Sequence, residues 1–97
     1  MDLTYCKSQR RKTRADLRNY LALFRDDIIK DFDIELPERK IIQQMQADKF
    51  DDWFMSISKQ LSNIAKTDLT LIELIDDFVC SVNNVATAEY EENLVIS

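Results

Sequence analysis

Residues 50–64 read FDDWFMSISKQLSNI, and their spacing decides the fold. Phe50, Phe54, Ile57, Leu61 and Ile64 recur at intervals of four, three, four and three residues, which gathers them into a seam along one helical face. Trp53 flanks that seam, and Met55 falls on the side of the helix opposite Phe50 and Leu61. Downstream, residues 69–74 read LTLIEL and predict a second helix start. Thr70 and Glu73 have the spacing of a capping box, with Leu69 placed to staple onto Leu74. From Thr70 to about Ala88, the residues Leu71, Leu74, Ile75, Phe78, Val79, Val82, Val85 and Ala86 form an apolar arc of about 160°. Residues 89–97 are expected to fray, as termini generally do.

Upstream, Leu17, Leu21, Phe24 and Ile28 share one side of a helix over 14–32. Thr13 and Asp16 suit its capping box, although no Pro or Gly prevents a start near Thr4. Pro37, with its fixed φ, predicts the first position of a short helix reaching about Ala47, with Ile41, Ile42 and Met45 inward. The expected fold is therefore all-α: a small antiparallel bundle of three long helices plus one short helix. It would be a single domain over 1–97, with a mobile basic end (1–12) and an acidic tail (89–97). The predicted core holds Leu17, Leu21, Phe24, Ile28, Ile41, Phe54, Ile57, Leu61, Leu74, Ile75, Phe78 and Val82. A chain without a single glycine agrees with this class, because hairpins, bulges and phosphate loops usually need φ > 0.

The same composition narrows the chemistry. With no histidine, Ser/His/Asp and Cys/His catalysis and His-based metal sites are excluded. With no glycine, P-loops and dinucleotide fingerprints are excluded as well. Asp31, Asp33 and Glu35 open like a calcium loop, but Leu36 stands where the loop needs Gly and Ile42 where it needs a bidentate Glu. The pairs Asp26-Asp27, Asp51-Asp52 and Asp76-Asp77 point about 100° apart on a helix, so none converges as an acid/base dyad. The expectation is a non-enzymatic protein with no cofactor and no metal. Cys6 and Cys80 are too few and too distant for a disulfide framework, so they read as reduced thiols in a cytoplasmic protein, Cys6 exposed and Cys80 on a helix. No stretch of 18 apolar residues spans a membrane.

Charge is unevenly distributed. Residues 1–25 carry seven basic side chains against two acidic ones, a net of +5, whereas residues 26–97 carry six against sixteen, a net of −10. On a helix running from residue 7, Lys7, Arg11, Arg14, Arg18 and Arg25 fall within about 60° of one another. Such a line suits a phosphate backbone or an acidic partner surface. It could equally face the protein's own acidic helices or be a solvated edge whose surface ion pairs contribute little, and that structural reading is favoured. A helix-turn-helix over 37–66 is weak, because its recognition helix would begin with the carboxylates of Asp48, Asp51 and Asp52. These patterns predict a small regulatory or adaptor protein, an inhibitor or an accessory subunit, working through protein contacts. Trp53 and Met55 are the candidate interface residues. The broad apolar arc adds the expectation of a homodimer. The alternatives are a nucleic-acid-binding regulator using the basic stripe, and an acidic mimic of nucleic acid that blocks a DNA- or RNA-binding protein.

Overall fold

The computed structural model describes residues 2–96, and these form five helices with no strands. They are α1 (Leu3–Leu23), α2 (Arg25–Phe32), α3 (Arg39–Gln44), α4 (Ala47–Ile64) and α5 (Leu69–Ile96). The all-α expectation holds. The first helix starts eleven residues earlier than the predicted position 14, at the alternative start. Asp2 is its cap, with its carboxylate accepting from Thr4 N at 2.9 Å and Tyr5 N at 3.4 Å. Thr13 lies mid-helix, and its hydroxyl bonds Gln9 O and Ser81 Oγ instead of capping.

The expected helix 14–32 is two helices, divided at Phe24 (φ −105°, ψ 17°). The guanidinium of Arg39 donates to the carbonyl of Ala22 at 2.6 Å, and a side chain entering the ladder is an established cause of such a bend. Phe24, predicted in the core, is consequently 37% exposed, with its ring tilted 47° to that of Tyr20 at 4.6 Å between centroids. Asp33 ends α2 in the left-handed region at φ 52°, a conformation that Asp tolerates better than most residues. Pro37 lies before α3, not at its first position, because Glu38 is the cap and the helix starts at Arg39. Ile42 is buried and Met45 half-buried, as expected, but Ile41, about 100° round the helix from Ile42, is 52% exposed.

The seam of α4 packs as read. Phe50, Phe54 and Leu61 are buried and Ile57 is half-buried, while Ile64, at the end of the helix, is exposed. The rings of Phe50 and Phe54 both meet Phe78 of α5 edge-on, at 6.1 and 5.7 Å. Leu17, Leu21, Ile28, Ile42, Leu71 and Ile75 complete this core, with Leu74 and Val82 half-buried at its margin.

Helix α5 begins one residue before the predicted Thr70. Its cap is Asp68, whose carboxylate accepts from Leu71 N at 3.1 Å. The predicted staple does not form, because Leu69 is 75% exposed. Asp is a better cap than Thr, and Tyr20 fixes this one by donating to the same carboxylate at 2.8 Å. The helix then continues past Ala88 to Ile96, where fraying was expected; Ser97 lies outside the described residues. Tyr20 bonds Asp68, Thr13 bonds Ser81, and Cys6 packs on Val85 and Ala88, so α1 and α5 run antiparallel. Cys6 is thus buried and Cys80 exposed, the reverse of the Cys6 expectation, and both thiols are free.

Candidate functional site: the cleft between the first and fourth helices

The five cations of the predicted stripe occupy one side of α1 and its continuation, but they do not form a uniform track. Arg14 makes a two-point bond to Asp51 of α4, Nε to Oδ1 and Nη2 to Oδ2, each at 2.6 Å. Both side chains are largely shielded, at 13% and 16% exposure. The bond to Asp51 raises the Arg14 pKa above its ordinary value, against the opposing effect of burial. Arg18 lies one turn further along. It donates to Met45 O at 2.6 Å and Gln43 O at 3.2 Å, and its guanidinium carbon sits 4.8 Å from the centroid of the Phe50 ring. Burial, and next the neighbouring Arg14 charge, push its pKa down. Arg25 ties the loop before α3, donating to Pro37 O, to Leu36 O at 3.1 Å and to Asp26 at 2.9 Å.

Lys7 and Arg11 differ from these three. Both are exposed and have no ion pair among the described residues. With Arg10 and Arg14 they line an open cleft of about 580 Å³, whose lining also includes Asp48, Asp51, Asp52 and Met55 of α4 and Val82 of α5. Arg10 was not part of the predicted stripe, yet its Nε is buried and has no hydrogen-bond partner. Its spacing of i+3 from Lys7 and i−4 from Arg14 was the available signal.

Trp53 is half-buried, with its ring edge-on to Phe50 at 5.7 Å and to Phe54 at 6.1 Å. Met55 is also half-buried, not exposed: it packs against the core and reaches the cleft. The wheel reading failed there because α4 is flanked on two sides, by α1 and by α5. Among the described residues, no group of three or more His, Cys, Asp or Glu side chains could hold a metal, and no helix is long and apolar enough to cross a membrane. Chemically the cleft sets the cations of α1 beside the carboxylates of Asp48, Asp51 and Asp52, with Met55 and Val82 as its larger apolar lining. Comparison with family models, curated proteins and solved structures finds no match to this chain.

Proposed function

We propose that this chain is a small non-enzymatic interaction protein, a regulator, adaptor or inhibitor that works by contacting another protein. Its platform is an antiparallel bundle in which α1, α4 and α5 supply the long helices. One observation carries the reading. Arg14, Arg18 and Arg25, three of the five stripe cations, are already bonded to the protein's own carboxylate and carbonyl oxygens. A phosphate would have to displace those bonds, and the chain's net charge of −5 repels it further. The same commitment weakens the mimic reading, since Asp51 already has a cation.

The nucleic-acid alternative keeps one supporting observation, the free Lys7, Arg10 and Arg11. Titration of duplex and single-stranded probes at two salt concentrations separates the two. The protein-contact reading expects no binding on either probe. Binding that falls with a log–log slope near about −2.7, the value for three phosphates on duplex DNA, and that disappears with Lys7→Gln/Arg10→Gln/Arg11→Gln, would establish the alternative. Whether the chain acts as a homodimer is read separately, by sedimentation at high micromolar concentration.

A further inference from the structure

The seam of α4 loses its cover before it ends. In its first half, Phe50 and Phe54 pack on Phe78 and are fully buried. Ile57, Leu61 and Ile64 continue the same stripe at i, i+4 and i+7, but Ile57 is only half-buried and Ile64 is 38% exposed. The segment that follows α2 faces these last turns across a cavity of about 290 Å³. From that segment Ile34 adds to the apolar wall, while Asp33 and Glu35 bring carboxylates. No cation lines this cavity, in contrast to the basic cleft, where the cations of α1 meet the carboxylates of α4. The Asp33 and Glu35 side chains are exposed and have no ion pair or hydrogen bond among the described residues. The chain leading to them is acidic too. Residues 26–35 carry five carboxylates against Lys30 alone. Among the described residues, only Asp26 of the five is held in an ion pair, by Arg25 and Arg39.

Resting on the protein-contact reading above, we infer that this cavity receives a long cationic side chain, arginine or lysine, from a basic segment of a partner protein. Size and chemistry together select that occupant. Sites that enclose a whole small molecule measure about 300–1,000 Å³, so a cavity at the foot of that range suits one or two side chains of a larger partner. Its walls are apolar and its rim is anionic, the two surfaces that a lysine or arginine presents in one side chain. The aliphatic stem lies on Ile57, Leu61 and Ile64, and the charged head stays hydrated at the rim beside Asp33 and Glu35. Neither carboxylate has to leave a partner of its own, so the contact displaces only water.

Other occupants meet only part of this surface. An aliphatic side chain covers the isoleucines but leaves the carboxylates without a counter-charge, and an acidic one is repelled by them.

The test is an NMR titration of the isotope-labelled full chain with two short capped peptides. One has Leu-Arg-Arg-Leu at its centre; the other has citrulline, uncharged but of the same shape, in place of each arginine. The arginine peptide should shift amides within 33–36 and 57–64, and the citrulline peptide should bind at least tenfold more weakly. Asp33→Asn/Glu35→Gln should weaken the arginine peptide at least tenfold. Asparagine tolerates the left-handed backbone of Asp33, so that variant keeps the turn. Ile64→Ser should weaken binding severalfold, whereas Asp76→Asn/Asp77→Asn on α5 should leave it unchanged. Circular dichroism of each variant confirms that the helices persist. No response to the arginine peptide, shifts spread over the acidic surface, equal binding of both peptides, or indifference to the Asp33/Glu35 or Ile64 variants would overturn the inference and leave the protein-contact reading in place. Concentration-dependent shifts of the same amides without peptide would overturn it in favour of a second copy. Duplex DNA shifting amides within 7–14, with both peptides silent, would overturn both readings together.

Discussion

The Arg14–Asp51 pair gives the sharpest energetic test, because it decides whether the stripe is internal structure or a loosely held surface. Its two charge-assisted bonds at 2.6 Å connect side chains only 13% and 16% exposed. Exposed pairs are worth about 0–1 kcal/mol, and breaking a fully buried pair costs about 3–5 kcal/mol. This intermediate burial places Asp51→Asn, or Arg14→Met with its apolar stem retained, at about 2–3 kcal/mol each. The double variant should be little worse than either single one, giving a coupling of about 2 kcal/mol. For a domain with about 5–15 kcal/mol of total stability, that is large enough for equilibrium unfolding to resolve. Urea is the appropriate denaturant, since guanidinium would itself screen the pair. In 1 M NaCl, where the Debye length falls to about 3 Å, most of the coupling should survive if the pair is shielded. A coupling below about 0.5 kcal/mol, or one abolished by salt, would refute the reasoning and return Arg14 to the set of cations free for a partner.

Phe78 is fully buried between the Phe50 and Phe54 rings, so Phe78→Ala should cost about 3–5 kcal/mol in the same urea assay, with the slope unchanged. Tyr20, desolvated and bonded to Asp68, has its phenol pKa raised to about 12. Because the folded value exceeds the unfolded value of about 10, its contribution is complete below that pH and is lost as pH rises towards 12. Between pH 9 and 11.5 the native protein should therefore lose more stability than Tyr20→Phe, and parallel curves would contradict this. A maleimide should label Cys80 at once and Cys6 only under unfolding conditions, giving a single adduct by mass spectrometry in buffer.

What the sequence made legible was periodicity. The 4-3-4-3 seam of α4 and the apolar arc of α5 place Phe54, Leu61, Ile75 and Phe78 in the core correctly, since burial on a helix follows angle. Events at helix ends were harder to read. The break at Phe24 depends on Arg39 reaching Ala22 O from 17 residues away, and no local pattern encodes such a contact. Likewise Asp68 displaces Thr70 as the cap partly because Tyr20, 48 residues earlier, fixes its carboxylate. Ile41 was misplaced because it lies about 100° round the helix from Ile42, and this six-residue helix buries only the Ile42 side. At the candidate site, the stripe was visible as an angle on a wheel. Which cations keep their charge available was not, because that depends on what α4 and the loop before α3 bring opposite them.

Those distant contacts account for much of the uneven charge. A helix leaves its last carbonyls without partners, and a following glycine in the left-handed region commonly satisfies them. This chain has no glycine. Guanidinium groups take over part of that role: Arg39 at Ala22 O near the end of α1, Arg18 at Gln43 O and Met45 O at the end of α3, and Arg25 at Leu36 O and Pro37 O in the loop before it. Each joins segments far apart in sequence, so it fixes the bend between helices as well as the acceptor. The positive charge concentrated before residue 26 therefore divides by position along α1. Arg14, Arg18 and Arg25 secure helix packing and the glycine-free turns, whereas Lys7 and Arg11 in the first turns are exposed and share a cleft with the carboxylates at the start of α4.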